Sequence, residues 1–208
     1  MFSESQIPKK RAAQKAATAL AVLDAARAEF ERVGYEAASL RAIAARAGVS
    51  AGTVIHHHGD KRELLHAALF DDLEATLARV LARPGEGPLE AQLGRLTRGV
   101  FAYYLARPKL SRTLLAHSLF ADPPWAARFA AQVAGVHAAI ARLAGAARAR
   151  GELAPGADVA LLGAAYFSFF YFALIAWAQG AHPQPARLCE GLVAQHLDGL
   201  RPPRRKRP

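Results

Sequence analysis

Asparagine is absent from the 208-residue chain, tryptophan occurs twice, and cysteine once, at position 189. A lone Cys189 excludes an intramolecular disulfide and every multi-cysteine zinc pattern, and it suits a reducing cytoplasm. No Gly-rich phosphate loop and no carboxylate pair at a catalytic spacing is visible, so neither a catalytic apparatus nor a cofactor is expected. Lys9-Lys10-Arg11 is followed by small and polar residues where a secretion signal needs an apolar stretch, so no export is expected. Nothing reads convincingly as a strand, and no internal repeat is apparent.

The chain is rich in alanine and arginine. Hydrophobic residues make up 52% and charged residues 21%, a globular composition with enough chain to bury a core. The net charge of +10 is uneven. Residues 1–62 carry ten Lys or Arg against six Asp or Glu, residues 63–200 twelve against eleven, and the tail Arg201–Pro208 five against none. Excess positive charge at both ends suits a polyanion, because phosphates attract cations and release counterions on contact. The preference for Arg over Lys also resembles GC-rich codon usage, so charge by itself does not decide the partner.

Gly and Pro punctuate the sequence into about nine helical segments, an all-α fold. The first spans about residues 10–33; Leu20, Leu23, Ala26, Phe30 and Val33 form its apolar stripe and Gly34 is placed to end it. Short helices follow at about 40–47 and 51–57. A longer one begins at Asp60, which stands three residues before Glu63 in capping-box spacing. Further helices are expected at about 89–106, 109–120, 124–150, 157–179 and 185–200.

Residues 39–61 are the most informative. Leu40, Ile43, Ala44 and Ala47 share one face of a short helix that Ser39 can cap. Ala44 is small enough for two helices to cross there, Gly48 tolerates a positive φ at the helix end, and Val54 can anchor the next helix inward, with Ser50 as its cap. That is the register of a helix-turn-helix, although a tight helical hairpin in an Ala-rich chain fits these positions as well.

The wider stretch 28–69 resembles the DNA-binding domain of the tetracycline-repressor (TetR) family of regulators. The matching residues are Phe30, Gly34-Tyr35, Ser39-Leu40-Arg41, Ile43-Ala44, Ala47-Gly48-Val49-Ser50, Gly52-Thr53, Gly59-Asp60-Lys61 and Leu64. The resemblance implies a three-helix DNA-binding domain at residues 10–60, a helical ligand-binding and dimerisation domain at 61–200, and a basic, disordered tail at 201–208. It further implies a cytoplasmic regulator, with repression favoured over activation, that binds an inverted repeat of double-stranded DNA as a homodimer. Ser39, Arg41 and Lys61 are then candidates for phosphate contacts, and Ser50, Ala51, Gly52, Thr53, Ile55, His56 and His57 present the groove-facing helix. Two positions depart from the family pattern. Ile55 stands where a phosphate-touching Tyr is usual, and His58 where an inward Phe is usual.

The run His56-His57-His58 invites a metal reading, but adjacent helical side chains point about 100° apart and do not converge. Residues 159–178 are uncharged and long enough to cross a bilayer. Tyr166 and Tyr171 in the middle, and the lack of flanking Lys or Arg, instead favour a buried helix. In the resembled family this helix and the next, 157–179 and 185–200, form the dimer interface. Candidates for an apolar ligand pocket are Phe101, Tyr104, His117, Ser118, Trp125, Phe129, His137, Tyr166 and Phe170. The competing readings are a membrane-tethered regulator, an enzyme, and a family member that no longer reads DNA.

Overall fold

The computed structural model describes residues 6–118 and 122–203. Among them the chain forms nine helices and no strand: α1 (Gln6–Val33), α2 (Leu40–Ala47), α3 (Ala51–His58), α4 (Lys61–Ala82), α5 (Leu89–Ala106), α6 (Pro108–Ser118), α7 (Trp125–Ala149), α8 (Val159–Ala178) and α9 (Pro185–Leu200). The all-α expectation holds, and each helix falls within a few residues of its expected place. Of the basic tail, residues 204–208 lie outside the described part; Arg201 pairs with Glu90 at 2.7 Å and with Asp198 at 3.0 Å.

The chain divides into two compact units. The first runs to Asp72 and takes in Arg107–Ser118; the second holds Leu73–Ala106 and resumes after Ser118. The sequence alone suggests a boundary at residue 60, yet the first half of α4 belongs to the first unit. Its Leu64, Leu65, Ala68 and Leu69 are buried, and Arg27 of α1 donates to the Ala68 carbonyl at 2.8 Å. Helix α6 joins the same unit because α1 caps it. The Glu31 carboxylate accepts from the Leu110 N–H at 2.9 Å, and Lys109 donates to the Arg32 carbonyl at 3.0 Å. The Glu31 carboxylate thereby satisfies a helix start that would otherwise leave unpaired N–H groups.

In the second unit α8 packs between α7 and α9, and α9 lies on α5. Asp158 caps α8, accepting from the Ala160 and Leu161 N–H groups at 2.9 and 3.0 Å. Gly163 permits the close approach of α8 to α7: a Cβ there would stand 3.0 Å from the His137 carbonyl oxygen. One buried polar pair of this unit is satisfied across helices, as low dielectric demands. Thr97 and Tyr166 share a hydroxyl hydrogen bond of 2.8 Å beside Cys189, whose thiol burial pushes up to about 12.

Helices α7 and α8 are both long and apolar enough to cross a membrane by length and composition. In the fold, however, Leu162, Tyr166, Phe170 and Leu174 of α8 recur at four-residue steps and are buried in the second unit. Its other face leaves Leu161 and Phe172 more than half exposed.

Candidate nucleic-acid interface and effector cavity

The helix-turn-helix is built from two N-caps and one left-handed glycine. Ser39 Oγ accepts from the Ala42 N–H at 3.2 Å and starts α2; Ser50 Oγ accepts from the Thr53 N–H at 3.0 Å and starts α3. Between them Gly48 takes φ 69°, and its N–H together with that of Val49 closes the end of α2 on the Ala44 and Ala45 carbonyls. The left-handed conformation turns the chain sharply enough for α3 to cross α2, at a position where a Cβ would be strained. Gly48-Val49-Ser50-Ala51-Gly52 also spells the Gly-x-Ser-x-Gly pattern of a hydrolase elbow. That elbow joins a strand to a helix; here Ser50 joins two helices and its hydroxyl is engaged with Thr53, at 2.9 Å from Oγ1.

Packing then sorts the side chains of α3. Val54 is fully buried, and one residue later Ile55 is 53% exposed. Gly52 and His56 are exposed, while Ala51, Thr53 and His57 are half-buried. Arg41 extends from α2 into solvent. Ser39, Arg41, Ser50, Ala51, Gly52, Thr53, Ile55, His56 and His57 thus belong to one surface element formed by α2, the turn and α3. This surface offers hydroxyls, imidazoles, a guanidinium and one apolar projection, and its backbone at Gly52 is bare. Among the described residues no three His, Cys, Asp or Glu side chains gather as a metal-binding group.

Lys61 is the exception in this set. Expected at a phosphate, it turns inward instead. Its ammonium donates to the carbonyls of Tyr35, Glu36 and Ala38 at 2.9, 3.2 and 3.2 Å and lies 4.5 Å from the centre of the Tyr35 ring. The loop after α1 leaves these carbonyls without helical partners, and a three-donor ammonium meets all of them at once.

A clamp that sequence reasoning missed holds α2 to α1. Glu29 is buried, receives Arg32 at 2.6 Å and lies 3.5 Å from Arg46 of α2. The hydrogen bonds from Arg32, helped by Arg46, outweigh burial and hold its carboxyl below the ordinary range. The Glu29–Arg32 spacing was visible in the sequence, but the reach to Arg46 was not.

His58 is half-buried at the end of α3, with Nε2 3.4 Å from the Ala19 carbonyl of α1. Burial pushes its pKa below the ordinary imidazole value. The Ala19 carbonyl opposes that shift, His57 adds to it, and Asp71 opposes it.

The second unit contains an apolar cavity of about 50 Å³ among α4, α5, α7 and α8. Of the candidate pocket residues, Tyr104, Phe129, Tyr166 and Phe170 line it; burial drives the phenols of Tyr104 and Tyr166 well above their ordinary range. Phe101 supports the wall, its ring 4.4 Å from that of Phe170. His137 lies behind the wall against Phe167 at 5.3 Å, and Trp125 sits at the start of α7 beneath Arg128. The expected anchor His117 is not in this unit. It stacks on Tyr35 at 5.1 Å, because the caps from α1 draw α6 into the first unit. Ser118 ends the same helix, and its side chain lies outside the described part.

An all-helical chain whose two short helices meet behind a left-handed glycine has the arrangement of a helix-turn-helix. Residues 22–68 match the family model of bacterial regulatory proteins of the tetR family. The HTH-type transcriptional repressor KstR of Rhodococcus jostii (strain RHA1) is 32% identical over 159 residues, covering 75% of this chain and 70% of KstR. Two solved structures have the same fold. The fatty acid degradation regulator FadR from Bacillus halodurans superposes with a TM-score of 0.68 at 20% identity, over 87% of this chain and 98% of that one. FadR of Thermus thermophilus, a TetR-family repressor solved with lauroyl-CoA, gives 0.65 at 23% identity, over 91% and 98%. The chain belongs to the TetR family and is a DNA-binding transcriptional regulator, not an enzyme.

Proposed function

We propose that the protein is a cytoplasmic homodimeric repressor that leaves an inverted-repeat operator when a small apolar ligand enters the cavity of its second unit. The observation that carries the DNA-reading half is the alternation on α3: Val54 is fully buried while Gly52, Ile55 and His56 face outward on a helix short enough for a major groove. Arg41, Ser39 and Thr53 set register on phosphates, Ile55 packs on a thymine methyl, and His56 reads an adjacent base edge. Lys61 stiffens the loop that carries Ser39 and acts on DNA only through that loop.

Dimerisation is assigned to α8 and α9, because the outer face of α8 exposes Leu161 and Phe172 on a helix of mean hydropathy 2.0. In the proposed dimer the two α3 helices enter successive major grooves, ~34–36 Å or one turn of DNA apart. Ligand binding and DNA binding then weaken one another reciprocally. KstR is a repressor and the Thermus FadR was solved with lauroyl-CoA, so acyl thioesters are the first ligands to screen.

Selection from a random DNA pool at two salt concentrations tests this reading. Enrichment of one inverted repeat supports it, and Ile55→Ala or His56→Ala should change the enriched bases. Arg41→Ala should weaken all sequences alike and lower the salt slope by about one. Salt-sensitive retention without an enriched sequence would mean that α3, with Ile55 and His58, no longer reads bases.

A further inference from the structure

The apolar cavity shares part of its wall with a second feature of the same unit. A groove of about 280 Å³ follows the seam of α4 and α7 and shares Leu77, Gln132 and Val136 with the cavity wall. On α7 the groove residues Arg128, Gln132, Gly135, Ala139 and Arg142 recur at three- and four-residue steps, so the groove runs along one helix face. Arg128 and Arg142 stand ~21 Å apart along that face at ~1.5 Å per residue, with the shared residues Gln132 and Val136 between them.

The two guanidinium groups differ. Arg128 is neutralised by Glu74 of α4, at 2.6 Å. Arg142 is exposed and has no hydrogen-bond or ion-pair partner among the described residues. The seam therefore presents one uncompensated positive charge on a groove that shares a wall with the apolar cavity. Gly135 keeps the floor between them bare, with nothing within 4 Å of the position a Cβ would take.

We infer that groove and cavity form one site for an anionic amphiphile. Its apolar chain passes Leu77, Gln132 and Val136 toward Tyr104 and Phe170, and its carboxylate or phosphate rests on Arg142. A guanidinium meets either anion with two parallel hydrogen bonds. A cavity of about 50 Å³ is well below the ~300 Å³ at which ligand pockets begin. The chain therefore enters by displacing the half-buried rings of Phe129, Phe167 and Tyr171. This site deepens the effector reading above and rests on it for its regulatory meaning.

The test is calorimetric titration of the full chain with dodecanoate, dodecyl phosphate and dodecanol, each below its micellar concentration. The two anions should bind at least about tenfold more tightly than the neutral alcohol. Their relative affinity tells whether the natural head is a carboxylate or a phosphate. Arg142→Ala should remove that advantage and leave dodecanol binding and Tm unchanged. Gly135→Leu, filling the open floor, should weaken all three ligands. Equal binding of dodecanol, indifference to Arg142→Ala at unchanged Tm, or no binding of any of the three would overturn the site. Operator release is read separately. Arg142-dependent binding that leaves the operator complex intact at saturation keeps the site and removes the effector role. An enriched operator with no amphiphile bound removes the site and keeps the regulator.

Discussion

The two units are assembled by different means. In the first, short helices are positioned by polar bonds at their ends: the Ser39 and Ser50 caps, the Lys61 ammonium on three carbonyls, the Glu29 carboxylate between Arg32 and Arg46, and Glu31 at the start of α6. In the second, where Asp158 also caps α8, α8 meets α7 by close approach at Gly163, and aromatic rings pack on one another beyond it. A polar cap fixes the direction in which a helix leaves a turn, which a reading head must keep when its partner is a rigid duplex. Apolar packing fixes volume but leaves rotamers to choose among, which suits a cavity that must admit a ligand.

The largest test of this contrast compares two buried rings. Phe101, 1% exposed and stacked on Phe170 in the second unit, and Phe30, fully buried in the first, should each cost about 3–5 kcal/mol on replacement by Ala. Chemical denaturation measures both, and a loss below about 1 kcal/mol at either site would mean that ring is not a core element of its unit.

Two glycines sharpen the contrast at the next level. Gly163→Ala places a methyl 3.0 Å from the His137 carbonyl oxygen and should cost about 1–3 kcal/mol through overpacking. Gly48→Ala meets no neighbouring atom but must hold φ 69°, at about 1–2 kcal/mol. Asn tolerates the left-handed region, so Gly48→Asn should recover much of the loss, whereas Gly163→Asn should be worse than Gly163→Ala. The opposite order in thermal unfolding would mean that the two sites have been assigned the wrong cause.

Removing one cap is a smaller perturbation. Ser50→Ala should lower stability by about 1 kcal/mol and weaken DNA binding more than that loss explains, since α3 loses its starting direction. Equal effects on stability and on affinity would reduce Ser50 to a structural cap.

The smallest effect is a slope with pH. Folding lowers the His58 pKa, so the neutral ring is favoured in the native state and the unfolded chain binds the proton first. Stability from this group is complete above the ordinary imidazole value of ~6.5 and is lost as pH falls toward the lowered native value. His58→Phe should flatten the profile of Tm against pH below that point. Parallel profiles for wild type and variant would place the pH dependence elsewhere.

Much of the first unit was legible because its signals are local. Ser39 and Ser50 announce caps, Gly48 a turn, and the spacing of Leu40, Ile43 and Ala44 a buried face. Each operates within four residues, and α2 and α3 lie where that reading places them. Lys61 shows where local reading stops. Its place at a helix start suggests a phosphate contact, but the carbonyls it serves belong to a loop more than twenty residues earlier. His117 fails for the same reason. An aromatic-rich C-terminal half suggests a pocket residue, while the Glu31 cap and the bond from Lys109 to the Arg32 carbonyl tie α6 to α1 in the other unit.

The sequence by itself determined the helices, their order, the turn of the reading head and the family, since periodicity, caps and glycine act over one or two turns of chain. Only the tertiary structure decided which side chains share a cavity, that Lys61 and Glu29 are internal fasteners, and that Arg142 stands unneutralised on a groove walled in part by the cavity's own residues. Those outcomes depend on contacts between residues far apart in the chain, where burial and charge compensation are settled by packing that no local pattern encodes.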